Sequence, residues 1–547
     1  MFKRWRLLSL GGLLVAAALL SRPGASISVS RAQQEPATAT PIKHLVVIYG
    51  ENVSFDHYFG TYPYAANPPG EPAFTPAPDT PAVNGLSGAL MTNNPNLVNP
   101  FRLDRTQALT CDMDHSYTNE QKAFNSGLMD KFVQYTEGKP SNDRQYCPAD
   151  ANGDLMAVMG YYDGNTVTAL WNYAQNFAMS DNSYGTRFGP STPGALDVTA
   201  ADTGGVICGP AGSGVYGNVP PCGDPNTPPP TSTSIALPSN GNTGAVYGDP
   251  QPLFDICSRP DASKLVAIGS KNIGDLLNAA GITWGWFQGG FRTDSNGKCS
   301  AAHAVEAYDR VIGVDPATDN AKFGDYIPHH EPFQYFASTA NPQHLPPSSV
   351  QMIGRTDQAN HQYDIQDFYA ALDAGILPAV TYLKAPAYQD GHAAYSDPLD
   401  EQQFVVTVIN KLMQSPFWSS TAVIIAYDDS DGWYDHVMGP IVTHSATEMD
   451  VACGTSNDGT PGRCGYGPRL PLLVISPYAR KDYVSHAITD QSSIVRFIED
   501  NWLGGQRLGS ETMDNMAGSL LDMFDFTQKP TRTLLLDPVT GQPQSGR

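Results

Sequence analysis

Positive charge is scarce in this chain. Its 32 Lys and Arg face 54 Asp and Glu, for a formal net charge of -22 at pH 7. Phosphate-backbone binding needs clustered Lys and Arg, so nucleic acid is excluded as a partner. Long apolar runs are equally scarce. Leu7 to Leu20 is too short for a comfortable membrane span; Lys3, Arg4 and Arg6 precede it, and the small-x-small tripeptide Ser30-Arg31-Ala32 follows. Residues 1–32 read as a secretory signal cleaved before Gln33. Cleavage after Ala25 and an uncleaved anchor are the alternatives. The mature chain is expected to be secreted or periplasmic, with no integral membrane span. No Cys-x-x-Cys occurs among the eight cysteines, which argues against a zinc–thiolate site. An even cysteine count on an exported chain fits disulfides. Cys208 with Cys222 and Cys453 with Cys464 would close short loops, yet four pairs leave 105 connectivities open. No internal repeat is present.

Enough apolar residues are present for a sizeable core, 41% with 10% aromatic. Helical patterns at Thr168–Phe177, Asp275–Ala280, Asp364–Ala374, Val405–Gln414 and Ser492–Trp502 alternate with strand-like runs. Those runs are His44–Tyr49, Ile282–Phe287, Ile376–Leu383, Ala422–Tyr427 and Leu470–Ser476. The alternation predicts an α/β fold with a largely parallel central sheet and helices on both faces. Two stretches rich in Pro, Gly and small polar residues, about 63–100 and 204–260, read as loop insertions.

Three segments carry chemistry. The run Ala422–Tyr427 stops at Asp428 and Asp429, followed by Asp431, Gly432, Asp435 and His436. The run His44–Tyr49 ends in Gly50, Glu51 and Asn52, with Ser54 placed to cap a short helix. Sites in α/β sheets form beyond the carboxyl ends of strands, and oxygen ligands there suit a metal ion. The third segment, Gly189-Pro190-Ser191-Thr192-Pro193-Gly194, frames two hydroxyls between residues of fixed and of free backbone.

In this order, Glu51 to Gly60, Gly189 to Gly194, Tyr427-Asp428-Asp429 with Asp435-His436, and Gly467-Pro468-Arg469-Leu470-Pro471 resemble the secreted bacterial phosphoesterases. That family contains phosphatidylcholine-type phospholipases C and a branch of acid phosphatases, and is similar in fold to the alkaline phosphatase superfamily. The resemblance spans residues 42–503, with 504–547 expected to pack on the same domain. The nucleophile turn of the phospholipase C branch usually reads Gly-Pro-Thr-x-Pro-Asn. The Ser-Thr-Pro-Gly version here, the run Tyr326 to Phe333 and Asp390-Gly391-His392 are more similar to the acid phosphatase branch. Val53 stands where many relatives carry Arg.

The resemblance implies a divalent metal held by Glu51, Asn52, Asp428, Asp429 and the Ser191 oxygen. Calcium, zinc, iron and manganese all accept such ligands. It further implies Ser191 as the nucleophile, with Thr192 the adjacent rival, and a phosphate pocket lined by His329, His330 and His392. One of these would protonate the leaving group. Asp56, His57, Asp435 and His436 are expected to support the ligands, and Asp431 lies outside the matched pair. The expected activity is hydrolysis of phosphoric esters, with a small phosphomonoester as substrate. The alternatives are a phospholipase C acting on phospholipid and a non-catalytic, metal-stabilised binding protein.

Overall fold

Eight short, mostly apolar segments form the central sheet: β1 (His44–Gly50), β2 (Ala178–Ser180), β3 (Trp284–Gln288), β4 (Gln362–Asp364), β5 (Val380–Lys384), β6 (Thr421–Tyr427), β7 (Leu472–Ile475) and β8 (Tyr483–Ser485). Their order across the sheet is β4-β3-β5-β1-β6-β7-β2-β8. The structure, a computed structural model, describes residues 37–138, 156–207, 235–236, 244–258, 265–300, 324–443, 451–453 and 462–544. The expected signal segment and the pair Cys208/Cys222 lie outside the described residues.

β1 and β6 sit side by side at the centre, and every residue of both is buried. Strands covered on both faces need continuous apolar sequence, which Leu-Val-Val-Ile-Tyr and Ala-Val-Ile-Ile-Ala-Tyr supply. β1 pairs in parallel with β5 and with β6.

The helices that matter here are α1 (Phe55–Phe59), α2 (Tyr117–Phe124), α3 (Thr168–Asn176), α4 (Ser191–Ala200), α5 (Ile273–Ala280), α6 (Ile365–Asp373), α7 (Pro398–Met413) and α8 (Ser492–Trp502). They cover both faces of the sheet. Tyr382, level with Val47, bonds the Val198 carbonyl of α4. Tyr427, level with Gly50, bonds Glu401 of α7. Val47 and Gly50 are an odd number of residues apart, so the two tyrosines point to opposite faces.

The sheet is largely parallel, as expected, but mixed. Seven strands share one direction, and β7 runs against both its neighbours, β6 and β2. A parallel return needs a crossover to the far end of the sheet. Asp435, after β6, and Arg469, before β7, instead meet at the same carboxyl end of the sheet, so β7 is entered from there.

The reading of 204–260 as a loop also needs correction. Its described parts include Gly204–Ile207, Ile235–Ala236, Gly244–Val246 and Gln251–Pro252, which join Leu265–Ile268 in a five-stranded second sheet. Strands of two to four residues are too short to show a period-2 pattern. Residues 63–100 are irregular apart from the turn Ala89–Thr92. Beyond α8, the Leu536 backbone exchanges hydrogen bonds with the Asn410 side chain of α7, and Trp418 Nε1 donates to the Arg532 carbonyl.

Among the described residues, Cys257–Cys299 and Cys453–Cys464 are disulfide-bonded, and no helix is long and apolar enough to cross a membrane. The second pair is the short-loop pairing expected from sequence. The first, 42 residues apart, has no sequence signal.

Candidate active site

Strand register builds the site. Gly50 lies opposite Tyr427, so the next residues along, Glu51 and Asp428, leave the sheet side by side. Leu383 lies opposite Ile48, which brings Lys384 to the same edge. Asn52 turns the chain away at φ +53°, a left-handed conformation that Asn tolerates better than most residues. Ser54 then caps α1, accepting from His57 N.

Ser191 opens α4 and is buried. Its Oγ lies 3.2 Å from Glu51 Oε2 and 3.3 Å from Asp429 Oδ2. Thr192 faces elsewhere: its N–H and hydroxyl both donate to Asp249 Oδ1, at 3.0 and 2.9 Å. Of the two framed hydroxyls, Ser191 is the one that meets Glu51 and Asp429. The turn before it is held by Glu120 of α2, which accepts from Gly189 N at 2.9 Å and from Ser430 Oγ at 2.7 Å. Gly189 has φ +113°, and a Cβ there would lie 2.8 Å from the Tyr247 carbonyl oxygen.

The donor set fits a divalent cation. The Asn52 amide oxygen faces two acceptors, Glu51 Oε2 at 2.5 Å and Asp428 Oδ1 at 3.2 Å. Turning the amide over would pair its NH2 with both. A cation among these oxygens satisfies them equally, and accounts for Ser191 Oγ and Asp429 Oδ2 as well. All five donors are oxygens, as a hard or borderline ion prefers.

Charge is crowded here. Burial, and then the neighbouring Glu51 charge, push the Asp428 carboxyl up to about 7. Burial pushes Asp429 well above the carboxylate range. Glu51 is held below its ordinary value, because Lys384, Asp428 and His392 outweigh its burial. Lys384, 1% exposed, contacts Glu51 Oε1 and lies 3.6 Å from Asp428 Oδ2. Burial disfavours its ammonium, but Glu51, Asp428 and Asp390 outweigh that and raise its pKa.

The three expected histidines divide. His330 Nδ1 lies 2.9 Å from Glu51 Oε1. Burial, then the charges of His329 and Lys384, hold its pKa well below the ordinary range. His392 Nε2 lies 3.1 Å from the Asn52 amide. The His329 ring packs edge-on against His330 at 4.4 Å, while its carbonyl accepts from Thr192 at 3.5 Å. Burial lowers its pKa as well.

Asp56, Asp435, His436 and Arg469 touch one another rather than the ligand oxygens. Arg469 Nη2 lies 3.0 Å from Asp56, its Nε 3.1 Å from Asp435, and His436 Nδ1 2.5 Å from Asp56. This buried network ties three motifs together. His57 is stacked on Trp433 at 3.8 Å and burial lowers its pKa to about 3, so it is a neutral packing residue.

Several residues escaped sequence reasoning. Asp431 is fully buried at φ +53°, and its Oδ1 lies 3.1 Å from His115 Nδ1. Burial opposes a charge on His115, but Asp429, Asp431 and Asp112 outweigh it and raise its pKa well above the usual value. Lys384 had one faint signal, a charge closing an apolar strand. His115 and Glu120 had none, because only the fold brings α2 and the loop before it to the site.

The motifs that form this site also relate the chain to known proteins. It matches the phosphoesterase family over residues 42–503. It is 24% identical over 523 residues to phospholipase C A of Mycobacterium tuberculosis, covering 92% of this chain and 82% of that one. It is 23% identical over 506 residues to non-hemolytic phospholipase C of Pseudomonas aeruginosa, covering 89% of this chain and 57% of that protein. Among solved structures, an alkaline phosphatase superfamily protein of Vibrio parahaemolyticus aligns with a TM-score of 0.27 at 12% identity, covering 86% of this chain and 68% of that one. With its match running nearly the whole length of the sheet and through every segment of the site, the chain belongs to the phosphoesterase family, and is a hydrolase acting on phosphoric ester bonds.

Proposed function

We propose that the chain is a secreted, metal-dependent phosphomonoesterase of the acid phosphatase type that works through a phosphoserine on Ser191. The observation that supports the phosphoserine step is Ser191 Oγ, poised between Glu51 Oε2 and Asp429 Oδ2 at the first residue of α4; the monoester preference rests on the Ser-Thr-Pro-Gly form of the turn and the run Tyr326 to Phe333. Glu51, Asn52, Asp428, Asp429 and Ser191 would hold the ion, which when bound supplies Lewis acidity and lowers the pKa of the serine hydroxyl. Ser191 Oγ attacks phosphorus and gives its proton to a facing carboxylate. The start of α4 favours the phosphate charge. The ester oxygen departs with a proton drawn from His329, His392 or His115. His330, whose pKa burial lowers, positions Glu51 instead. Water then attacks the phosphoserine and releases phosphate. Cys257–Cys299 and Cys453–Cys464 support an oxidising destination.

The phospholipase C reading is favoured by the relatives at 23–24% identity. Both readings use the same nucleophile. Purified protein should be analysed for metal and assayed on nitrophenyl phosphate and on phosphatidylcholine. Monoester turnover with phosphate trapped on Ser191 supports the phosphatase. Phosphatidylcholine cleavage with negligible monoesterase activity replaces it with the phospholipase.

A further inference from the structure

We propose that Lys384 is the built-in second cation of the active site, an ammonium that fills the place of a second metal and limits the chain to one divalent ion. The proposal rests on the metal-dependent reading above. Glu51 and Asp428 are both divided between two neighbours. Glu51 Oε2 and Asp428 Oδ1 face the Asn52 side-chain amide, and Glu51 Oε2 also faces Ser191. Glu51 Oε1 and Asp428 Oδ2 face Lys384. Carboxylates shared between two positive centres are the arrangement of a two-metal phosphoesterase site.

A donor set for the second centre is present. Glu51, His330 and Asp390 each offer a ligand atom, all within 4.8 Å of one another, and all three residues are buried. Lys384 stands against this group. Its Nζ touches Glu51 Oε1, the same oxygen that His330 Nδ1 meets at 2.9 Å. The ammonium has no route out. Lys384 ends β5, held between β3 and β1, with Nζ 5.3 Å from the Tyr49 ring centre and 3.5 Å from the Gly50 carbonyl oxygen. A fixed cation there repels a second ion and keeps Glu51 aimed at the nucleophile. Without it, Glu51, Asp390 and the His330 ring would face one another with no cation between them.

The experiment is a count of bound Mn2+ by equilibrium dialysis on metal-stripped wild type, Lys384→Arg, Lys384→Met and Lys384→Gln, with thermal melts as a folding control. One ion per chain is expected for wild type and Lys384→Arg. For Lys384→Met and Lys384→Gln, the expectation is a second ion, or a first bound about tenfold tighter or more, since a nearby like charge has gone. A merely structural lysine predicts the reverse: weaker metal binding together with a lowered melting temperature. Two ions on wild type overturn the proposal. So does one ion bound no tighter in whichever neutral variant folds. No ion on wild type overturns the metal reading itself.

Discussion

A Cβ on Gly194 would collide with the carbonyl oxygen of Asp428. The last glycine of the turn Gly189 to Gly194 is thus where the first turn of α4 touches the end of β6, and that contact sets Ser191 against Asp429. Gly194→Ala should push α4 off the strand end. Overpacking of this kind costs roughly 1–3 kcal/mol, and kcat should fall more than stability explains. Parallel measurement of melting temperature and kcat checks this; an unchanged kcat would show that the close approach is not needed for catalysis.

Ser191→Ala should fold normally and lose activity by at least roughly a thousandfold, as removal of a covalent nucleophile does. Thr192→Ala should be much milder, since Thr192 serves Asp249. Mass spectrometry of acid-quenched enzyme should find phosphate on the peptide carrying Ser191. Loss of turnover in Thr192→Ala with retention in Ser191→Ala would move the nucleophile by one residue.

Asp428→Ala and Asp429→Ala should each lower bound metal and activity together. Asp431 lies outside the matched pair, so its replacement should be milder than that of either carboxylate. Asp431 holds His115 and caps the turn in a left-handed conformation. Asp431→Asn should lower kcat roughly 10- to 100-fold, as loss of a supporting contact does, while metal content stays full. Metal analysis beside kcat separates the two kinds of residue.

The strand-end carboxylates that the fold brings together were legible because each lies within two residues of a long apolar run, where a carboxylate cannot be part of the core. Lys384 was harder to see, since a lone lysine at a strand end has many solvent-facing precedents. His115 and Glu120 reach the site across more than 300 residues of sequence, to Asp431 and Ser430, and no local pattern encodes that approach. The same distinction explains the fold. β1, β6 and α8 announce themselves by length and periodicity, whereas the short strands around Gly244–Val246 do not. The direction of β7 depends on where the chain travels between residues 428 and 471, which hydrophobic pattern alone does not record.

Asp197 offers a test of folding against pH that is independent of the proposed metal site. It is fully buried in α4, and neither carboxylate oxygen has a hydrogen-bond partner among the described residues. Burial pushes its carboxyl up to about 7, more than the nearby Arg187 can offset. A carboxyl raised in the folded state favours folding when protonated. Its contribution is therefore fully present below the unfolded value near 4 and is lost as pH rises toward about 7, at roughly 1.4 kcal/mol per pH unit across that window. Asp197→Asn keeps the shape and carries no charge. Its melting temperature should match the wild type near pH 4 and exceed it at pH 8. Parallel melting curves for the two proteins from pH 4 to 8 would show instead that Asp197 is ionised and solvated in the native state.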